Sequence, residues 1–126
     1  MRDLRSPLSR VKGLGSAKDG THHFWHQRLT ALLLIPLVLW LGFSLAAMPV
    51  DHATLVDWVR QPLVTIALVL LISTVFYHAK LGLQVVIEDY VSSHIRRTII
   101  LLLSSFLCLL FGLVGVVAVL KIAFGV

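Results

Sequence analysis

The sequence predicts an all-α membrane protein with three transmembrane helices, and three observations carry that prediction. Of its 126 residues 58% are hydrophobic and 13% charged, and mean hydropathy is +0.93. A soluble domain of this size needs far more polar surface, so lipid or partner subunits must solvate this chain. Three apolar runs approach the length of about 20 residues that crosses roughly 30 Å of hydrocarbon. Basic residues gather at one set of their ends, the mark of membrane topology. The formal charge of +5 would suggest nucleic acid in a soluble protein. Here six of the eleven Lys/Arg (Arg2, Arg5, Arg10, Lys12, Lys18 and Arg28) precede the first apolar run, and no aromatic-interleaved basic surface accompanies them. No nucleic-acid partner is expected. The single cysteine, Cys108, lies within an apolar run and cannot form an intrachain disulfide.

Residues 1–28 are expected to form a basic arm on the positive side of the membrane. Gly13, Gly15 and Gly20 are expected to break regular helix there. A secretory signal is disfavoured, because the following apolar run is too long and lacks a small-residue cleavage site. An amphipathic organelle-targeting peptide is the competing reading, against which Asp3 and Asp19 count. The anchor proper occupies residues 29–126. Its first span, 29–47, has no charge over nineteen positions, and Pro36 removes one helical hydrogen bond within it.

Residues 48–61 read as a polar connection, with Trp58 as an interfacial anchor. The second span, 62–87, opens on Pro62, a favourable first-turn residue. Its length is about 39 Å at 1.5 Å per residue, enough to cross with tilt. A short segment, 88–97, leads to the third span, 98–120, then Lys121 and a five-residue tail. Counting Lys/Arg gives six plus two (Arg96, Arg97) on the side of the arm and the 88–97 segment, against Arg60 and Lys121 on the other. The N terminus is therefore expected in the cytoplasm, or in the matrix of a mitochondrion, with the C terminus opposite.

The second span alone carries charge and histidine inside. His78 lies nine residues, roughly 14 Å, before Ile87, well within hydrocarbon. Asp89 follows His78 by eleven residues, three turns plus roughly 20°, so the two share a helix face. An imidazole at mid-depth suits haem iron, and Gly82, one turn on, would leave room for a flat macrocycle. Asp89 and Tyr90 place a carboxylate and a phenol at the helix end, a pair suited to hydrogen bonding and proton delivery to a carbonyl under reduction.

Plainer readings stand beside these. A lone intramembrane His more often makes an interhelical hydrogen bond, and Asp-Tyr at a helix end is commonly an interfacial anchor. Lys80 is read first as snorkelling inward, and second as pairing with Asp89 or a haem propionate. In Gly20-Thr-His-His-Phe-Trp-His-Gln-Arg28, the spacing of His22, His23 and His26 permits a metal site, but no acidic or cysteine ligand accompanies them. Arg28 and Trp25 are ordinary interfacial residues, although Arg28 is on the side of Asp89 and Tyr90 and could meet an anionic group.

Taken together, Gly20-Thr-His22-His-Phe-Trp-His-Gln-Arg28-Leu-Thr-Ala31, three spans, and His78 followed eleven residues later by Asp89-Tyr90 resemble the small hydrophobic membrane-anchor subunit of succinate dehydrogenase, respiratory complex II. The Gly-Leu-Gly-Ser-Ala-Lys-Asp-Gly stretch of the arm is similar to the alphaproteobacterial form. The resemblance implies that His78 is an axial ligand of haem b, with the other ligand on the companion anchor subunit. It implies that Tyr90 hydrogen-bonds ubiquinone with Asp89 beside it, and that Arg28 lies near the haem propionates and quinone, with His22 nearby. Lys80 takes no role from it.

By the same resemblance the partners are the companion anchor subunit, the iron–sulfur subunit and the flavoprotein subunit, and the location is the bacterial inner membrane. The chain carries no nucleotide fingerprint or catalytic triad, and is not expected to be an enzyme alone. The alternatives are the anchor of a related fumarate reductase, and a small channel or transporter protomer using His78, Lys80 and Asp89 as a proton path.

Overall fold

The computed structural model describes residues 4, 6–8 and 17–126, with backbone alone at 17–19. Most of the basic arm, with Gly13 and Gly15, lies outside the described residues. Four helices follow: α1 (Ala17–Ala47), α2 (His52–Val59), α3 (Pro62–Tyr90) and α4 (His94–Phe124). Three of them contain stretches long and apolar enough to cross a membrane, Gly20–Ala47, Pro62–Tyr90 and His94–Phe124. The chain is a multi-pass helical membrane protein, as expected from its composition.

The helices are longer than the apolar runs. α1 begins at Ala17 rather than 29 and passes through Gly20 and Pro36 without interruption. A glycine in a helix costs only about 1 kcal/mol, which the rest of a 31-residue helix outweighs. Polar residues can continue a helix past the hydrocarbon, so hydropathy marks the span and not the helix end. Likewise α3 runs on to Tyr90 and α4 starts at His94, leaving three residues between them where a segment of ten was expected. Arg97 secures that turn, its Nε donating to the Val91 carbonyl at 2.9 Å.

The expected polar connection contains α2. Asp51 is its N-cap, accepting from Thr54 N at 3.0 Å and from Thr54 Oγ1 at 2.6 Å. The Thr54 hydroxyl, then the Thr54 amide, hold the Asp51 carboxyl below its ordinary value of 3.8. Trp58, expected at the membrane interface, stacks on Trp40 of α1, with centroids 5.6 Å apart and planes at 24°. Arg60 reaches the far end of α4, where its Nε donates to the Ile122 carbonyl at 3.3 Å. There Gly125 closes the helix in the left-handed region at φ 69°.

α3 is the central helix. It packs on α1 along one side and α4 along another. Val64, Leu68, Leu71, Thr74, Leu81 and Ile87 of α3 supply nearly all the buried side chains. Most of that stripe follows the three-four spacing of a helix face. Against α4 the approach is close. A methyl added at Gly112 would sit 3.4 Å from Phe76 Cβ, and one at Gly115 only 3.0 Å from Ile72 Cγ2. Small residues at such seams let helices pack by van der Waals contact where lipid offers no hydrophobic drive.

Candidate functional site

The α1–α3 seam brings polar groups together within the membrane. His78 Nδ1 lies 2.8 Å from Thr30 Oγ1. The same hydroxyl is 2.8 Å from the His26 carbonyl and 3.0 Å from the Gln27 carbonyl, one turn back along α1. A threonine hydroxyl has one proton to give. With that proton on a helix carbonyl the oxygen accepts from His78 Nδ1–H and leaves Nε2 the free lone pair; with it on His78 Nδ1 the tautomer is the reverse. In either case Thr30 fixes the orientation of the ring.

Next along the seam, Tyr77 Oη stands 3.4 Å from His26 Nδ1, and the two rings meet edge-on at 6.1 Å. His26 in turn faces His22, with centroids 6.4 Å apart. Among the described residues no group of three or more His, Cys, Asp or Glu could hold a metal ion, so these histidines do not converge as ligands. Close to His78, the direction of a Cβ at Gly82 points into open space, with nothing within 4 Å.

The remaining predicted residues stand apart. Asp89 and Tyr90 end α3, both exposed, Tyr90 by 84%. Along the axis Asp89 is about 17 Å from His78, so the shared face carries two separate positions. His22 is exposed. Arg28 is exposed too, its guanidinium 5.2 Å above the Phe24 ring. It lies about 160° round α1 from Thr30, on the face turned away from α3.

Lys80 does not meet Asp89, one of the partners considered for it. It is about 200° from His78 and 180° from Asp89 on the same helix, and lines a cleft of about 450 Å³ between α3 and α4. The expected proton path through His78, Lys80 and Asp89 therefore has no common face.

Sequence reasoning missed Thr30 and Tyr77. The only signal for Thr30 was a hydroxyl at the second position of an apolar run, and its partner is 48 residues away.

Comparison with known proteins agrees with this architecture. The family of succinate dehydrogenase/fumarate reductase transmembrane subunits matches residues 2–120. The succinate dehydrogenase hydrophobic membrane anchor subunit of Rickettsia bellii is 39% identical over 106 residues, 82% of this chain and 85% of the relative. That of Rickettsia conorii is 36% identical over 107 residues, with the same coverage of 82% and 85%. The succinate dehydrogenase membrane anchor subunit of Reclinomonas americana is 30% identical over 86 residues, covering 65% of this chain and 72% of the relative. No solved structure matches. The alphaproteobacterial resemblance of the sequence agrees with the Rickettsia relatives, and the chain belongs to the succinate dehydrogenase/fumarate reductase transmembrane subunit family.

Proposed function

We propose that this chain anchors a succinate:ubiquinone oxidoreductase in the bacterial inner membrane, with its N terminus cytoplasmic and its C terminus periplasmic. There it docks the flavoprotein and iron–sulfur subunits beside the companion anchor subunit. His78 ligates haem b, and Tyr90 and Asp89 form part of the ubiquinone-reduction site. The chain performs no chemistry alone.

The observation that carries this reading is the His78–Thr30 pair. A ring whose Nδ1 is spent on a hydroxyl presents Nε2 as the ligating nitrogen, and such outer hydrogen bonds orient metal-bound histidines. The open direction at Gly82 supports the same assignment. Haem b, when bound, supplies a one-electron redox centre. At the end of α3 the exposed Tyr90 phenol donates to a quinone carbonyl, with the Asp89 side chain beside it to relay protons. Arg28 and His22 are assigned to the haem-propionate and quinone vicinity. Arg28 points away from α3, so it meets such a group only where that group extends past α1 toward a partner.

A fumarate reductase anchor would use the same residues, and the family description spans both reactions. The potential of the host quinone separates them.

The test is a reduced-minus-oxidised absorption spectrum of the purified complex, wild type and His78→Ala, with quinone reduction measured for Tyr90→Phe. The expected result is a b-type haem band in wild type that His78→Ala loses, and loss of quinone reduction in Tyr90→Phe. A wild-type complex without haem, together with full activity in Tyr90→Phe, overturns the reading.

A further inference from the structure

α3 carries a second polar position that the His78 face does not use. Lys80 is half-buried in the α3/α4 cleft, beside Ser73 and Tyr77 of its own helix and Ser105 and Cys108 of α4. Among the described residues its ammonium has no hydrogen bond or ion pair. Asp89, the carboxylate on the same helix considered as its partner, stands on the opposite side of α3.

Depth makes that isolation consequential. Lys80 is seven residues from Ile87, the inner end of the apolar run, and eighteen from Pro62, about 10 Å and 27 Å along the axis. A lysine stem of four carbons reaches about 6 Å. Helical side chains also lean toward the helix N terminus, which for α3 is away from the nearer water. Snorkelling therefore falls short, and an ammonium left in hydrocarbon without a counter-charge is strongly disfavoured.

Resting on the reading of this chain as one member of a membrane complex, we infer that the Lys80 ammonium pairs with an aspartate or glutamate carried within the inner part of the hydrocarbon by a helix of a companion chain seated on the α3/α4 cleft. The rim is bare to receive it: Phe106 is 60% exposed, Leu109 61% and Leu113 54%. Ser73, Ser105 and Cys108 are small enough to let a helix approach closely. A lipid phosphate has the same charge but lies outside the hydrocarbon, past Ile87 and beyond the reach of the Lys80 stem. The depth of Lys80 thus favours a carboxylate on protein.

The test uses the intact complex in nanodiscs of zwitterionic phosphatidylcholine, treated with a hydrophobic carbodiimide. An amide bond forms between the Lys80 amine and a carboxyl carbon within contact distance, and the carbodiimide takes up the water lost as a urea. Mass spectrometry of the wild type is expected to show Lys80 joined to an acidic residue in a membrane span of another chain, and Lys80→Arg to show no such product. In parallel, Lys80→Gln is expected to lower the temperature at which the complex dissociates, with Lys80→Arg restoring it.

Lys80 joined only to its own chain overturns the inference, as do equal dissociation temperatures for wild type, Lys80→Gln and Lys80→Arg. Cardiolipin raising the dissociation temperature of delipidated wild type but not of Lys80→Gln identifies a lipid phosphate instead, and also overturns it. Haem content and succinate-dependent quinone reduction in the same preparation report separately on the reading of the complex itself.

Discussion

Thr30 Oγ1 and His78 Nδ1 meet at 2.8 Å across the α1–α3 seam, and this one contact ties the first membrane helix to the position proposed for the haem. Thr30→Val keeps the shape of the side chain and removes the acceptor. The lost hydrogen bond is worth about 1 kcal/mol, and outer-shell partners of metal ligands typically change affinity by roughly 10- to 100-fold. Haem content and midpoint potential of the purified complex should both shift in Thr30→Val, while Thr30→Ser stays close to wild type. An unchanged potential in Thr30→Val would mean that the hydroxyl does not position the ligand.

Gly82 and Gly115 should separate two kinds of glycine. Among the described residues nothing lies within 4 Å of a Cβ at Gly82, so Gly82→Leu should leave the helical circular-dichroism signal intact and deplete the haem that the open space is proposed to receive. Gly115→Val meets Ile72 Cγ2 at a distance the packed α3/α4 seam must relax to accept. It should cost about 1–3 kcal/mol of stability, seen as a lower thermal midpoint.

Tyr90→Phe should reduce quinone turnover by about 100-fold, the lower range for loss of a positioned proton donor. Succinate oxidation by an artificial dye that bypasses the membrane site should be unaffected. Equal loss in both assays would place the defect in assembly rather than at the quinone.

Asp51 makes the cap of α2 depend on pH. Thr54 lowers the carboxyl pKa in the folded chain, so the unfolded state binds its proton first as acid is added. The contribution to stability is full above about 3.8, the unperturbed value, and is lost as pH falls through the depressed folded one. Hydrogen exchange of the α2 amides should accelerate across that window in wild type. Asp51→Asn, which caps without a charge, should show no such step.

The spans were legible because hydrophobic length is a local property. The positions of Pro62, of the 29–47, 62–87 and 98–120 runs and of His78 along the second run all follow from counting residues, and three long apolar helices contain those runs. Helix ends were not legible. α1 starts at Ala17 because hydrogen bonding continues a helix through polar sequence after the lipid requirement ends, and α2 is held by a cap and a tryptophan stack within a stretch that reads as loop. Of the candidate site, angular arithmetic alone put His78 and Asp89 on one face.

What the sequence by itself determined was the membrane solvent, the number of spans and the family, since composition, run length and a spaced motif need no knowledge of neighbours. Only the tertiary structure decided which helix is central, which hydroxyl holds His78, and that Lys80 faces α4 while His78 faces α1. The physical reason is that a helix spaces its side chains by about 100° per residue without specifying what lies beyond each face. That depends on the order in which helices pack, set here by Gly112 and Gly115 against Phe76 and Ile72 on one side of α3 and by Thr30 against His78 on the other.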